Sequence, residues 1–259
     1  MRVVLGVEYD GGSFAGWQSQ AHGNTVQDVL EKALAEIAGL PVRVVCAGRT
    51  DAGVHAFGQV AHFDVAVDRP DSAWVRGVNS SLPSTVAVRW SRVVNNDFHA
   101  RFSAMSRSYS YYLLNRPVRP GLLSGRVGWF HRPLDLEAMN SGLQQLIGEH
   151  DFSAFRAAEC QAKSPVKHLH LARVQAAGEV LRFDFRASAF LHHMVRNIVG
   201  ALIYVGKSKC PPQWIGELLE SRDRTLAAPT FDGAGLYFAG VEYPPEFGLP
   251  APPEGIILA

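Results

Sequence analysis

The apolar and polar positions of the chain alternate between two periods. Residues 3–9 are a run of β-favouring residues and predict a strand, followed by a glycine-rich loop through Gly11, Gly12 and Gly16. Val26, Val29, Leu30, Ala33, Leu34 and Ile37 then recur at helical spacing. They predict a helix over 25–38, capped by Thr25, with Asp28 in its first turn and Gly39 just past its end. Strands follow at 42–46 and 58–67, separated by a polar loop held by glycines. A short helix near 74–78 leads through Pro83 to a strand over 85–94, and 95–101 reads as a connector. Beyond it the pattern predicts a tyrosine-rich strand at 107–114 and a helix at 135–147. A hairpin of strands 168–175 and 180–187 turns at Ala177-Gly178. Helices at 190–205 and 211–220 and a closing strand at 235–243 complete the series. Hairpin signals outnumber regular crossovers, which points to an α+β fold with largely antiparallel sheet. The expected domains are 1–98 and 99–245, with a proline-rich tail at 246–259.

Composition narrows the setting. The 259 residues suffice for two modest domains, and 47% hydrophobic with 19% charged content argues against disorder. The first ten residues form a strand that meets Glu8 and Asp10, without the longer apolar core and cleavage site of a signal peptide. The apolar run 195–205 is shorter than a membrane span and adjoins two histidines and an arginine. Cys46, Cys160 and Cys210 are too widely spaced for a disulfide framework or a zinc site, so a reducing, cytoplasmic setting fits.

The formal net charge of +1 conceals a polarity. Arg89, Arg92, Arg101, Arg107, Arg116, Arg119, Arg126 and Arg132 face one acid, Asp97, over the same stretch. From Ile215 onward seven acids face Arg222 and Arg224. One anion-facing surface suits nucleic acid, because phosphate neutralisation dominates such affinity. A scattering of solvated arginines would read the same way, in a chain with twenty arginines and five lysines.

Three segments could carry chemistry. In Gly48-Arg49-Thr50-Asp51-Ala52-Gly53-Val54-His55-Ala56, glycines permit tight turns and close approach of a large substrate. Arg49 and Asp51 are two apart and project from one face of an extended chain, where a guanidinium would favour the ionised carboxylate. The same residues suit an Asx-turn closed by Asp51, with Arg49 merely pairing to it. In Arg107-Ser108-Tyr109-Ser110-Tyr111-Tyr112, alternation places Arg107, Tyr109 and Tyr111 on one face and Tyr112 on the other. A tyrosine beside arginines can stack on an unpaired base, though at least one of these rings must be core. In Phe190-Leu191-His192-His193-Met194-Val195-Arg196-Asn197, a helix would set Arg196 one turn beyond the histidines. Adjacent histidines diverge by about 100° on a helix and do not make the paired metal site. His150, His168 and His170 add no ligand spacing, and neither a phosphate-binding loop nor a dinucleotide fingerprint occurs.

The loop from Gly48 to Ala56 resembles the catalytic signature of the tRNA pseudouridine synthase A family. The resemblance extends to Tyr9-Asp10-Gly11, Phe14-Ala15-Gly16-Trp17-Gln18 and Thr25-Val26-Gln27. It continues through Phe98-His99-Ala100-Arg101-Phe102-Ser103-Ala104, Arg107-x-Tyr109-x-Tyr111, His150-Asp151-Phe152-Ser153, Cys160-Gln161 with Ser164-Pro165, and the Phe190–Asn197 segment. The chain departs from the family at Ala154 and in Ala228-Pro229-Thr230-Phe231-Asp232-Gly233-Ala234-Gly235-Leu236. The resemblance implies two α+β domains with largely antiparallel mixed sheets flanked by helices and an active-site cleft between them. It implies a homodimer that isomerises uridine to pseudouridine at tRNA positions 38, 39 and 40, with no cofactor and no metal. Asp51 would be the catalytic nucleophile or base, Arg49 would assist base flipping, and Tyr109 would stack on the uracil. Arg196 would line the pocket, and Arg101 and Arg107 would bind RNA. A non-catalytic tRNA chaperone on the same scaffold is the alternative reading.

Overall fold

A computed structural model describes residues 1–256 and divides the chain into two compact units. The first comprises Met1–Met105 together with Tyr237–Ala259, and the second Ser106–Leu236. This partition differs from the expected one, since 99–105 and the chain from 237 onward group with the N-terminal part. Of the expected tail, 257–259 lie outside the described residues.

In the first unit, β1 (Arg2–Tyr9) lies between β3 (His55–Asp64) and β4 (Val86–Val94), antiparallel to both. β10 (Leu236–Glu242) pairs with β3 in parallel, through Tyr237 to His55 and Phe238 to Ala56. A short β2 (Val45–Cys46) pairs with Ala61 and His62, toward the end of β3. β1 is buried along most of its length, which explains why its sequence is nearly continuously apolar rather than alternating. Helix α1 (Val26–Ala38) begins and ends where its caps require. Thr25 accepts from the Asp28 N–H, and Gly39 takes a left-handed φ of 72° as it donates to the Ala35 carbonyl. Its buried face carries Leu30, Ala33 and Leu34 and, less obviously, Gln27, whose amide is bonded to Ser19 N and to Glu31. The segment near Trp74 is a wide turn, Ala73–Gly77, continued as α2 (Val78–Ser81). Trp74 is fully buried there, edge-on to Phe63 at 5.2 Å.

In the second unit, β5 (Ser106–Asn115), β9 (Val180–Ala187), β8 (Val166–Ala177) and β7 (Gly148–Asp151) form an antiparallel series in that order. β6 (Gly128–Phe130) adds to β5 in parallel. Helices α3 (Leu136–Gln144), α4 (Met194–Gly206) and α5 (Trp214–Ser221) complete it. Asp135 caps α3 by accepting from Ala138 N, and Gly178 at φ 58° turns the β8–β9 hairpin. α4 is buried on nearly every side and approaches the loop before β10 closely. A Cβ at Gly200 would lie 2.4 Å from the Pro229 carbonyl oxygen.

The sheets are mainly antiparallel, as the pattern implied, and they are mixed and flanked by helices, as the resemblance implied. Three local expectations are corrected. β3 starts at His55 rather than at 58, β6 and β7 were not foreseen, and α4 starts at Met194 rather than at 190. Among the described residues no helix is long and apolar enough to cross a membrane.

Candidate active site

The Gly48–Ala56 loop enters from β2 and leaves as β3, and each of its turns has a visible cause. Thr50 is buried, and its hydroxyl meets the Tyr9 hydroxyl at 2.8 Å. The Thr50 carbonyl accepts from Trp17 N at 2.9 Å. Gln59, fully buried on β3, donates to the Gly48 carbonyl at 2.7 Å and, more weakly, to Tyr9 Oη at 3.4 Å. Asp51 opens a tight turn that closes with Val54 N on the Asp51 carbonyl at 3.2 Å, and Gly53 sits at φ 74° within it. Only glycine takes that conformation without a Cβ penalty. Gly16 is constrained on the other side, because at φ 95° a Cβ would come within 2.7 Å of the Thr50 carbonyl oxygen.

Inward anchoring of Thr50 leaves its neighbours at the surface, Arg49 exposed and Asp51 half-buried. The loop therefore presents a carboxylate and a guanidinium on a backbone fixed from behind. Burial holds the Tyr9 phenol well above the ordinary tyrosine value, so the anchor stays protonated at working pH. Burial likewise pushes the Cys46 thiol up to about 12, against a smaller opposing pull from Arg49. Cys46 is thus a protonated, buried neighbour rather than a rival nucleophile. At the start of β3, His55 is buried and stacks on Tyr237 at 4.6 Å, and its Nδ1 accepts from Gly11 N at 3.1 Å.

In the second unit, β5 divides its tyrosines by burial. Tyr111 and Tyr112 are core, and the Tyr111 hydroxyl donates to the Asp232 carbonyl at 2.9 Å. Tyr109 is only half-buried, edge-on to Phe190 at 4.9 Å. Arg107, two residues before it, donates to the Ser188 carbonyl at 3.0 Å. Between Tyr109 and Tyr111, Ser110 donates to buried Asp184, which also pairs with Arg182 at 2.8 Å and Arg173 at 3.4 Å.

Arg196 stands in the first turn of α4, with its Nε donating to the Phe231 carbonyl at 2.8 Å. It does not sit one helical turn beyond His192 and His193, because those residues are not helical. His193 takes φ 61°, the two rings lie 4.0 Å apart, His192 N donates to Cys160 Sγ, and the His192 carbonyl accepts from Ala157 N. The atypical segment 228–236 is bonded to the start of α4. Phe231 N bonds back to the Arg196 carbonyl, and Thr230 donates to buried Asn197 at 2.7 Å.

Arg101 lies in the first unit and is exposed, with its guanidinium 5.7 Å from the Phe102 ring centroid. Arg49, Asp51 and Arg101 thus share the first unit, and Tyr109, Arg107 and Arg196 the second. Sequence reasoning missed the Tyr9–Thr50–Gln59 anchor. Its signal was Gln59, an amide in a strand otherwise suited to the core.

A family model described as tRNA pseudouridine synthase matches residues 6–103 and 143–244. The tRNA pseudouridine synthase A of Dechloromonas aromatica is 65% identical over 257 residues, covering 99% of this chain and 98% of that protein. The protein of that name from Aromatoleum aromaticum is 62% identical over 258 residues, covering 100% and 97%. That from Methylobacillus flagellatus is 59% identical over 250 residues, covering 96% of each. The chain belongs to the tRNA pseudouridine synthase family.

Proposed function

We propose that this chain isomerises uridine to pseudouridine at positions 38, 39 and 40 of the tRNA anticodon stem-loop, with Asp51 as the catalytic carboxylate. Uridine isomerisation in tRNA follows from membership of the family. The observation that carries the role of Asp51 is its place on the anchored loop, half-buried beside a threonine tied to Tyr9. The reaction breaks the N1–C1′ bond, turns the uracil and joins C5 to C1′. One proton leaves C5 and one is taken up at N1, so no redox partner is needed. Asp51 acts as nucleophile at C1′ or at C6, or as base in a glycal route.

A stacked base is out of reach of any side chain, and the target must be flipped at a cost of a few kcal/mol. Arg49, exposed beside Asp51, assists flipping or occupies the vacated space. Tyr109, half-buried against Phe190, stacks on the uracil and helps to move the C5 proton. Arg196 lines the pocket, and Arg101 and Arg107 neutralise phosphates. The working form in this reading is a cytoplasmic homodimer. The test of target choice uses tRNA transcripts carrying C5-tritiated uridine at position 38, 39 or 40 alone. Release from each supports the assignment, and release only from uridines elsewhere in the tRNA overturns it.

A further inference from the structure

Phe102 is held out of the fold by a network that leaves its backbone little freedom. At 76% relative exposure it is the most exposed aromatic ring among the described residues. Yet the turn that carries it is bonded at nearly every position. His99 Nδ1 accepts the N–H groups of both Arg101 and Phe102 at 3.2 Å. His99 N donates to Ser103 Oγ, and Ser103 N donates back to the His99 carbonyl, each at 2.9 Å. Ala100 is fixed on both sides, its N–H donating to His62 Nδ1 at 3.1 Å and its carbonyl accepting the Tyr243 hydroxyl at 2.6 Å. Met105 N closes the segment on the Glu242 carbonyl. Burial keeps the imidazoles of His99 and His62 below their ordinary value, consistent with neutral rings that accept at Nδ1.

The His99 ring lies stacked against Phe102 at 4.3 Å with 27° between planes. A flat ring is thus backed by a second ring, with the Arg101 guanidinium 5.7 Å from its centroid. An apolar partner surface would not call for that cation, whereas a nucleotide brings a flat base and a phosphate together.

We propose that Phe102, backed by His99 and flanked by Arg101, is a stacking platform for an unpaired nucleobase of the tRNA. This rests on the proposed function for its choice of RNA. The platform is tied to β3 through His62, seven residues beyond His55. That separation is roughly 23 Å along a strand from the end that carries the Asp51 loop. The stacked base is therefore a different nucleotide from the flipped uridine, and the platform acts on binding rather than on the chemical step.

The experiment compares the full-length chain with Phe102→Ala, Phe102→Trp and Arg101→Ala. It measures tRNA affinity over a range of salt, tritium release at saturating tRNA, thermal melting and native mass. Phe102→Ala should bind tRNA about tenfold or more weakly, with the salt slope, saturated rate and melting unchanged. Phe102→Trp should restore affinity, and Arg101→Ala should flatten the salt slope by about one. Unchanged affinity in Phe102→Ala overturns the platform, as does an equal loss in the tryptophan variant. A shift in native mass would assign the ring to a contact between protein copies and also overturn it. Wild-type tritium release with undiminished Phe102→Ala binding sinks this inference alone. Absence of wild-type release, with Phe102→Ala still binding RNA more weakly, sinks the proposed function and leaves the platform standing.

Discussion

The hydroxyls of Tyr9 and Thr50 meet at 2.8 Å, and this contact fixes the residue between Arg49 and Asp51. Both partners are buried, so removing one leaves the other without its bond in a place water does not readily reach. Tyr9→Phe should lower stability by about 1–2 kcal/mol. It should also slow turnover, because the backbone that presents Asp51 loses its inner anchor. Urea unfolding and tritium release would check both effects, and wild-type values in both would show that the contact positions nothing.

Two glycines of the same region should respond differently to alanine. At Gly16 the new methyl would meet the Thr50 carbonyl at 2.7 Å on a backbone already at φ 95°. At Gly53 nothing lies within 4 Å, so only the left-handed conformation at φ 74° resists. Gly53→Ala should cost about 1 kcal/mol of stability, and Gly16→Ala clearly more together with most of the activity. Equal stability loss in the two variants would contradict the packing described.

Stability should fall at alkaline pH. Burial raises the folded-state values of the Tyr9 and Tyr111 phenols above 10.0 and takes Cys46 from 9.0 to about 12. In the unfolded chain these groups release their protons at ordinary values, whereas the folded chain retains them. Their contribution is therefore present below pH 9.0 and is lost as pH rises from there through the folded values. Denaturant unfolding between pH 8 and pH 11 should show a steady decline, less steep in Tyr9→Phe. Constant stability across that interval would refute the assignment.

Much of this was legible in the residues, and the exceptions share a cause. Thr25, Asp28 and Gly39 are local signals, and α1 begins and ends where they place it. The Asp51 loop was readable because Gly53 marks a backbone conformation that other residues resist. The start of α4 was not, because the apolar spacing continues back through Leu191 while the chain breaks at His193. What breaks it is tertiary, namely the bonds from His192 to Cys160 and Ala157, some 30 positions earlier in the chain. β6 was missed because three residues carry no period, and its pairing with β5 is set by contacts distant in sequence. Strand alternation alone could not rank the tyrosines of β5. It put Tyr111 with Tyr109, yet Tyr111 is core, its hydroxyl bonded to the Asp232 carbonyl in the loop before β10, and Tyr109 is half-buried.

Tyr109 separates two roles by substitution. Tyr109→Phe keeps the ring that meets Phe190 at 4.9 Å and removes only the hydroxyl. If the hydroxyl helps to move the C5 proton, this variant should bind tRNA normally while its rate falls by about 10²-fold. Tyr109→Ala should lose the stack as well and weaken binding of tRNA. Single-turnover rates and affinities would distinguish them, and a fully active phenylalanine variant would confine Tyr109 to stacking.

The central claim is that Asp51 performs the chemistry, and tritium release from C5-labelled tRNA tests it most directly. Isomerisation conserves mass but must expel the C5 hydrogen, so release reports the bond exchange itself. The wild-type chain should release tritium, and Asp51→Asn should release none while binding tRNA nearly as well. Substantial release by a folded Asp51→Asn variant would contradict the account.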